Sequence, residues 1–95
     1  MRRTARIDDN QPELVALARK MGASVWITSQ LGKGAPDLVL GLPSGNVLVE
    51  IKDGSKPPSA RKLTEDEQKF HAKWRGPIAV VETAEDMVKL IKEAA

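Results

Sequence analysis

A mixed four-stranded sheet flanked by helices, in the α/β class, is the fold this sequence predicts, and three observations predict it. The chain has 95 residues, enough for one domain spanning 1–95. Four short runs rich in aliphatic and β-branched residues alternate with three segments whose apolar residues recur at helical spacing. The resulting order is α-β-β-β-α-β-α. Three strands can join by local turns, and a fourth, reached across a helix, can lie parallel to a neighbour.

Asn10-Gln11-Pro12-Glu13 opens the first helix, with Asn10 as the expected N-cap, Pro12 in the first turn and Glu13 three residues after the cap. Leu14, Leu17, Ala18 and Met21 continue it on one face, and Gly22 ends it as a residue free to take positive φ. Residues 23–28 (Ala-Ser-Val-Trp-Ile-Thr) read as the first strand, and residues 29–36, with two glycines and a proline, as a loop. The second strand runs over 37–41. After a turn at Leu42-Pro43-Ser44-Gly45, the third runs over 46–52.

Residues 53–62 are rich in Gly, Ser, Pro and Lys without periodicity, so a mobile loop or one ordered on binding is expected. Thr64-Glu65-Asp66-Glu67 forms a capping box for a second helix that carries Gln68, Phe70 and Trp74 and stops at Gly76-Pro77. Residues 78–82 make a short last strand. Thr83 then caps a helix with Met87, Leu90, Ile91 and Ala94 on one face.

Composition narrows the functional classes. Without cysteine the chain has no disulfide, no thiolate zinc site and no cysteine nucleophile, so any metal must be held by oxygen or by His71. His71 has no second ligand at helical spacing except Glu67, which argues for a surface or interface role over zinc. No run approaches the roughly 20 apolar residues of a membrane span, and the first residues lead into a polar stretch. A soluble, intracellular, cytoplasmic protein without a membrane partner is expected. A domain this small gains from association, and a homodimer is one such form.

Net charge is only +2, yet it is unevenly distributed. From Lys52 to Arg75 seven basic residues face four acids, whereas from Gly76 onward two lysines face four acids. Positive charge therefore gathers beside the feature that carries chemistry. Lys33, Lys56, Arg61, Lys62, Lys69 and Lys73 are the candidate contacts to a phosphate backbone. Arg2, Arg3 and Arg6 form either an arm on phosphates or a solvated terminus. Trp26, Phe70 and Trp74, the only aromatics, could stack on unpaired bases, but in so small a set core positions are the commoner use.

That feature is Gly34-Ala35-Pro36-Asp37-Leu38 followed by Val49-Glu50-Ile51-Lys52. In a hairpin Asp37 lies beside Glu50, and Lys52 projects to the face of Glu50 because strand side chains alternate with period two. Taken singly, Asp37 suits a turn after proline, and Glu50 and Lys52 suit an exposed strand face. Val47, Leu48, Val49 and Ile51 mark this strand as central, however, where charge needs a partner. Two carboxylates beside an ammonium suit Mg²⁺ or Mn²⁺ and the hydrolysis of phosphodiesters.

Asp37 and the Glu50-Ile51-Lys52 strand, after an N-terminal helix, resemble the PD-(D/E)XK nuclease superfamily. Gly34-Ala35-Pro36-Asp37-Leu38, Glu50-Ile51-Lys52, and Leu63-Thr64 followed by Gln68 resemble its VRR-NUC family across nearly the whole chain. The resemblance implies a restriction-endonuclease-like α-β-β-β-α-β core with a C-terminal helix added. It implies that Asp37, Glu50 and the Ile51 carbonyl bind one or two divalent cations, that Lys52 acts on the attacking water or the scissile phosphate, and that Gln68 steadies Lys52 or the phosphate. Glu13 would contact a metal-bound water or a second cation, although it equally suits the helix cap. The products would carry a 5′-phosphate.

Single-domain members of this size are similar to viral structure-selective nucleases, some of them dimeric Holliday-junction resolvases. Larger relatives carry the module at the end of a DNA-repair nuclease. The expectation is therefore a metal-dependent endodeoxyribonuclease acting as a homodimer on branched DNA. The alternatives are a monomeric nickase or flap nuclease, and a DNA-binding module without chemistry.

Overall fold

A computed structural model describes residues 7–94. The elements are helix α1 (Gln11–Lys20), strands β1 (Ser24–Ile27), β2 (Leu38–Leu42) and β3 (Gly45–Ile51), helix α2 (Glu65–Lys73), strand β4 (Ile78–Val81) and helix α3 (Ala84–Ala94). A 3-10 turn at Pro58–Ala60 interrupts the β3–α2 connection. The order expected from the sequence is the order found.

The sheet runs β1-β2-β3-β4, with antiparallel pairs between β1, β2 and β3 and a parallel pair between β3 and β4. Leu42 pairs with Gly45 across a two-residue turn, which fixes the hairpin register. That register places Leu38 opposite Val49 and Leu40 opposite Val47 on one face. Leu38, Leu40, Val47, Val49, Ile51 and Val81 from the sheet pack with Leu14, Val15 and Ala18 of α1 and Met87 and Ile91 of α3 in one buried cluster. α1 also lies against α3 and β1.

The opposite face is treated differently. Trp26 pairs with Val39, Val39 with Leu48 and Leu48 with Ile78, a row in which Trp26 is exposed and the other three are half-buried. Trp26 is 66% exposed and Trp74, just past α2, 45% exposed, so the expectation that the aromatics fill the core is corrected. Apolar side chains at helical and strand spacing outside these positions already fill the single core. Phe70 is half-buried and stacks on Trp74 with ring centroids 5.7 Å apart.

Helix starts follow local chemistry in two of three cases. Thr64 and Glu67 form the reciprocal capping box, and the Asp86 N–H donates to Thr83 Oγ1 at 3.1 Å. Asn10 is the exception, because its side chain makes no cap hydrogen bond and Glu13 makes no capping box with it. Instead Asn10 Nδ2 donates to the Lys52 carbonyl at 3.1 Å and to the Glu82 carbonyl at 3.2 Å, tying the start of α1 to the ends of β3 and β4.

Residues 53–62, expected to be mobile or ordered on binding, carry a set of local and tertiary hydrogen bonds. Asp53 Oδ1 accepts from both the Ser55 N–H and hydroxyl. The Lys56 N–H returns to the Asp53 carbonyl, and the Arg61 side chain closes the segment on the Lys56 carbonyl at 2.8 Å and Glu82 Oε1 at 3.0 Å. Among the described residues no helix is long and apolar enough to cross a membrane. Arg2, Arg3 and Arg6, named above as a possible arm, lie outside the described residues.

Candidate functional site

Asp37 enters the sheet one residue before β2 begins. Its N–H donates to the Val49 carbonyl at 2.9 Å, and its own carbonyl accepts from the Thr28 N–H at 2.8 Å, so it is held between β1 and β3. Its side chain then acts where the β2 backbone has already turned away. Asp37 Oδ2 accepts the Ile51 N–H at 2.7 Å, supplying an acceptor that the loop at Pro36 does not. Thr28 Oγ1 fixes that loop by donating to the Pro36 carbonyl at 2.7 Å.

Glu50 and Lys52 project to the same side, as period-two alternation requires. Lys52 Nζ is 3.9 Å from Glu50 Oε2 and 2.7 Å from Glu67 Oε1 of α2. The Lys52 N–H extends the parallel ladder to the Val81 carbonyl at 3.0 Å, so its side chain departs from a fixed backbone. Glu50, Asp37 and Lys52 are 2%, 8% and 8% exposed. The strand thus carries buried charge where the sequence pattern expected charge to need a reason.

The electrostatics follow from that burial. Desolvation raises Glu50, and the charge of Asp37 raises it further, pushing its pKa up to about 10. Asp37 is also raised by burial, against the lowering effect of the Ile51 N–H. The neighbouring Asp37 carboxyl thus disfavours ionisation of Glu50 in this dry site. Burial pulls Lys52 down, but its hydrogen bond to Glu67 and the charges of Glu67 and Glu50 outweigh this and hold it above its ordinary value. Burial raises Glu67, yet its bonds with Lys52 and the Thr64 N–H win, and its carboxyl stays below its ordinary value.

These groups open on a cleft of about 520 Å³ lined by Asp8, Asp37, Glu50, Lys52, Lys56, Ser59, Lys62 and Glu67, among others. Among the described residues the Glu50 Oε1 atom is buried without a hydrogen-bond partner. Among the described residues no three His, Asp or Glu side chains converge to enclose a metal ion. Asp37 and Glu50 make a two-carboxylate set. Such a set, with an unpartnered oxygen and an open side, fits a hard cation that keeps several waters, as Mg²⁺ does, better than one needing an all-protein cage.

Other residues named from the sequence fall in different places. Glu13 is exposed in a separate groove with Asp9, Asn10, Asp53 and Ser55 and does not line the cleft. Gln68 is exposed, and its Nε2 donates to the Leu63 carbonyl at 3.0 Å instead of reaching Lys52. One position along a helix rotates a side chain by about 100°, which turns Gln68 outward and Glu67 inward. Ile51 meets Asp37 through its N–H.

Of the candidate phosphate contacts, Lys56 and Lys62 line the cleft. Arg61 is committed to Glu82, and Lys69 lies 3.5 Å from Glu65 on the exposed side of α2. Lys33 and Lys73 are exposed outside the cleft lining. Half-buried His71 has an Nε2 without a hydrogen-bond partner among the described residues.

Sequence reasoning missed Asp8 and the tertiary role of Glu67. Asp8 sits just before α1, and burial in the cleft raises its carboxyl. Nothing in its local pattern marks it. Glu67 was legible as a cap, but the same oxygen that accepts the Thr64 N–H at 2.8 Å also takes Lys52.

Comparison with protein-family models, curated proteins and solved structures returns no match.

Proposed function

We propose that the chain is a metal-dependent endodeoxyribonuclease of the PD-(D/E)XK type, similar to the VRR-NUC family, acting as a homodimer on branched DNA such as a four-way junction. The observation that supports this reading most is the buried Asp37–Glu50 pair with Lys52 beside it at an open cleft. Burying two carboxyls and an ammonium together is costly unless their charge is used. The α/β order and the parallel β3–β4 pair are compatible with a restriction-endonuclease-like core.

In this reading Asp37 and Glu50 would hold Mg²⁺ or Mn²⁺, with the Ile51 carbonyl as a further ligand. The bound cation would supply Lewis-acid polarisation of the scissile phosphate and acidify water. Binding requires Glu50 to give up its proton, which the cation's charge favours. The Ile51 N–H holds the Asp37 carboxylate in place throughout. Lys52 would donate to a phosphate oxygen as negative charge develops there, a role that benefits from a fixed donor in a site shielded from water. Lys56 and Lys62 would receive the flanking backbone phosphates.

The test is incubation of the wild type and Lys52→Ala with labelled four-way junction, flap and linear duplex, in Mg²⁺, Mn²⁺ or EDTA, resolved on a denaturing gel. Paired, metal-dependent cuts in the junction that are lost in the variant are the expected result. Cuts confined to a flap or a single strand would replace junction resolution with a nickase or flap activity. No product from any substrate with either metal would leave a DNA-binding module. Light scattering decides the oligomeric state, since paired incisions need two sites in fixed relation.

A further inference from the structure

One carboxylate oxygen in this molecule serves two donors from different parts of the fold. Glu67 Oε1 accepts the Thr64 N–H at 2.8 Å, closing the α2 cap, and the Lys52 ammonium at 2.7 Å. Glu50, the nearest acid along the strand, is much farther from that ammonium at 3.9 Å. Lys52 is therefore aimed by the helix and not by its own strand.

The helix end is itself held from the other side. Gly34 has φ +81°, and a Cβ built there would lie 2.5 Å from the Asp66 carbonyl carbon and 2.8 Å from the Glu67 nitrogen, with the Asp66 oxygen closer still. The loop that delivers Asp37 thus packs directly on the backbone that carries Glu67. No side chain fits between them. Asp37 and Lys52 are in this way referenced to one another through the first turn of α2.

We propose that Glu67 is the positioning residue for Lys52, fixing its ammonium over the Asp37–Glu50 pair. The proposal rests on the nuclease reading of the cleft. An ammonium has three donors, so Lys52 can keep Glu67 on one and present the others to a phosphate oxygen. The assignment also explains why Gln68 bonds its own helix start: the place beside Lys52 is already filled.

The test is a double-mutant cycle on DNA cleavage under single- and multiple-turnover conditions, with Glu67→Ala, Lys52→Ala and both changes together. Glu67→Ala is expected to lower kcat about 100-fold with KM changed less than about threefold, as for an interaction used in the transition state. Adding it to Lys52→Ala should then slow cleavage by less than about threefold. Should Glu67→Ala fail to fold for want of its cap, Glu67→Gln, which keeps an acceptor oxygen for Thr64, takes its place with an expected loss of about tenfold.

Near-wild-type cleavage by these Glu67 variants overturns the proposal, and so does an undiminished loss on the Lys52→Ala background. Where Lys52→Ala is too slow to follow, the same cycle on urea midpoints decides, and strictly additive midpoints overturn it. A wild type inactive with both metals overturns the nuclease reading instead, whereas an active wild type indifferent to Glu67 overturns this proposal alone.

Discussion

Asp37 accepts the Ile51 N–H at 2.7 Å through its side chain while its own N–H donates to the Val49 carbonyl at 2.9 Å. One residue thereby holds β3 at two points while lining the cleft. Structure and chemistry are separable here by substitution. Asp37→Asn retains an acceptor for Ile51, so its urea stability should fall by less than that of Asp37→Ala. Asp37→Ala leaves a buried N–H unpaired and should lose about 1–3 kcal/mol. On the proposed nuclease reading, both should abolish metal-dependent cleavage, because the charge of a proposed ligand is gone.

Glu50 dictates a pH dependence. Its folded-state pKa of about 10 lies above its ordinary value of 4.5, so over that window the folded state binds a proton that the unfolded state has released. Stability in EDTA should fall as pH rises from 4.5 towards 10, and Glu50→Gln should flatten the slope. Cation binding favours the ionised carboxyl, so Mg²⁺ or Mn²⁺ should raise the urea midpoint more at pH 8 than at pH 5. Equal midpoints with and without metal at both pH values would count against the carboxylate pair as a cation site.

Asn10 separates a helix cap from a tertiary clamp. As an N-cap, Asn and Asp are interchangeable. As a donor to the Lys52 and Glu82 carbonyls it is not replaceable by Asp, which would set a carboxylate against two carbonyl oxygens. Asn10→Asp should therefore be less stable than Asn10→Ala, and Asn10→Ala should itself cost about 1–2 kcal/mol by chemical denaturation.

The basic residues divide by what already holds them. Lys56 and Lys62 line the cleft, and replacing either with Ala should weaken DNA binding and reduce the slope of log affinity against log salt by about 0.9. Arg61 is occupied by Glu82 on a partly exposed surface. Arg61→Ala should cost at most about 1 kcal/mol of stability and change the salt slope by less than the lysine variants. Fluorescence anisotropy on a labelled duplex over a salt series measures all three.

By itself the sequence determined the element order, because strand and helix periodicities are local and the Gly/Pro turns punctuate them. It also determined that Asp37, Glu50 and Lys52 share a face, since a two-residue turn and period-two alternation leave no other register that buries Leu38, Leu40, Val47 and Val49 together. The α2 capping box was legible for the same reason: all its atoms lie within four residues. Tertiary structure decided what those residues do next. Glu67 reaches Lys52 fifteen positions away, Asn10 reaches Lys52 and Glu82 across 42 and 72 positions, and Arg61 finds Glu82 across 21. Such partners are set by how helices dock on the sheet, which no local pattern encodes. Docking turned Gln68 outward and Glu67 inward, kept Glu13 out of the cleft, and left Trp26 on the exposed face of an edge strand.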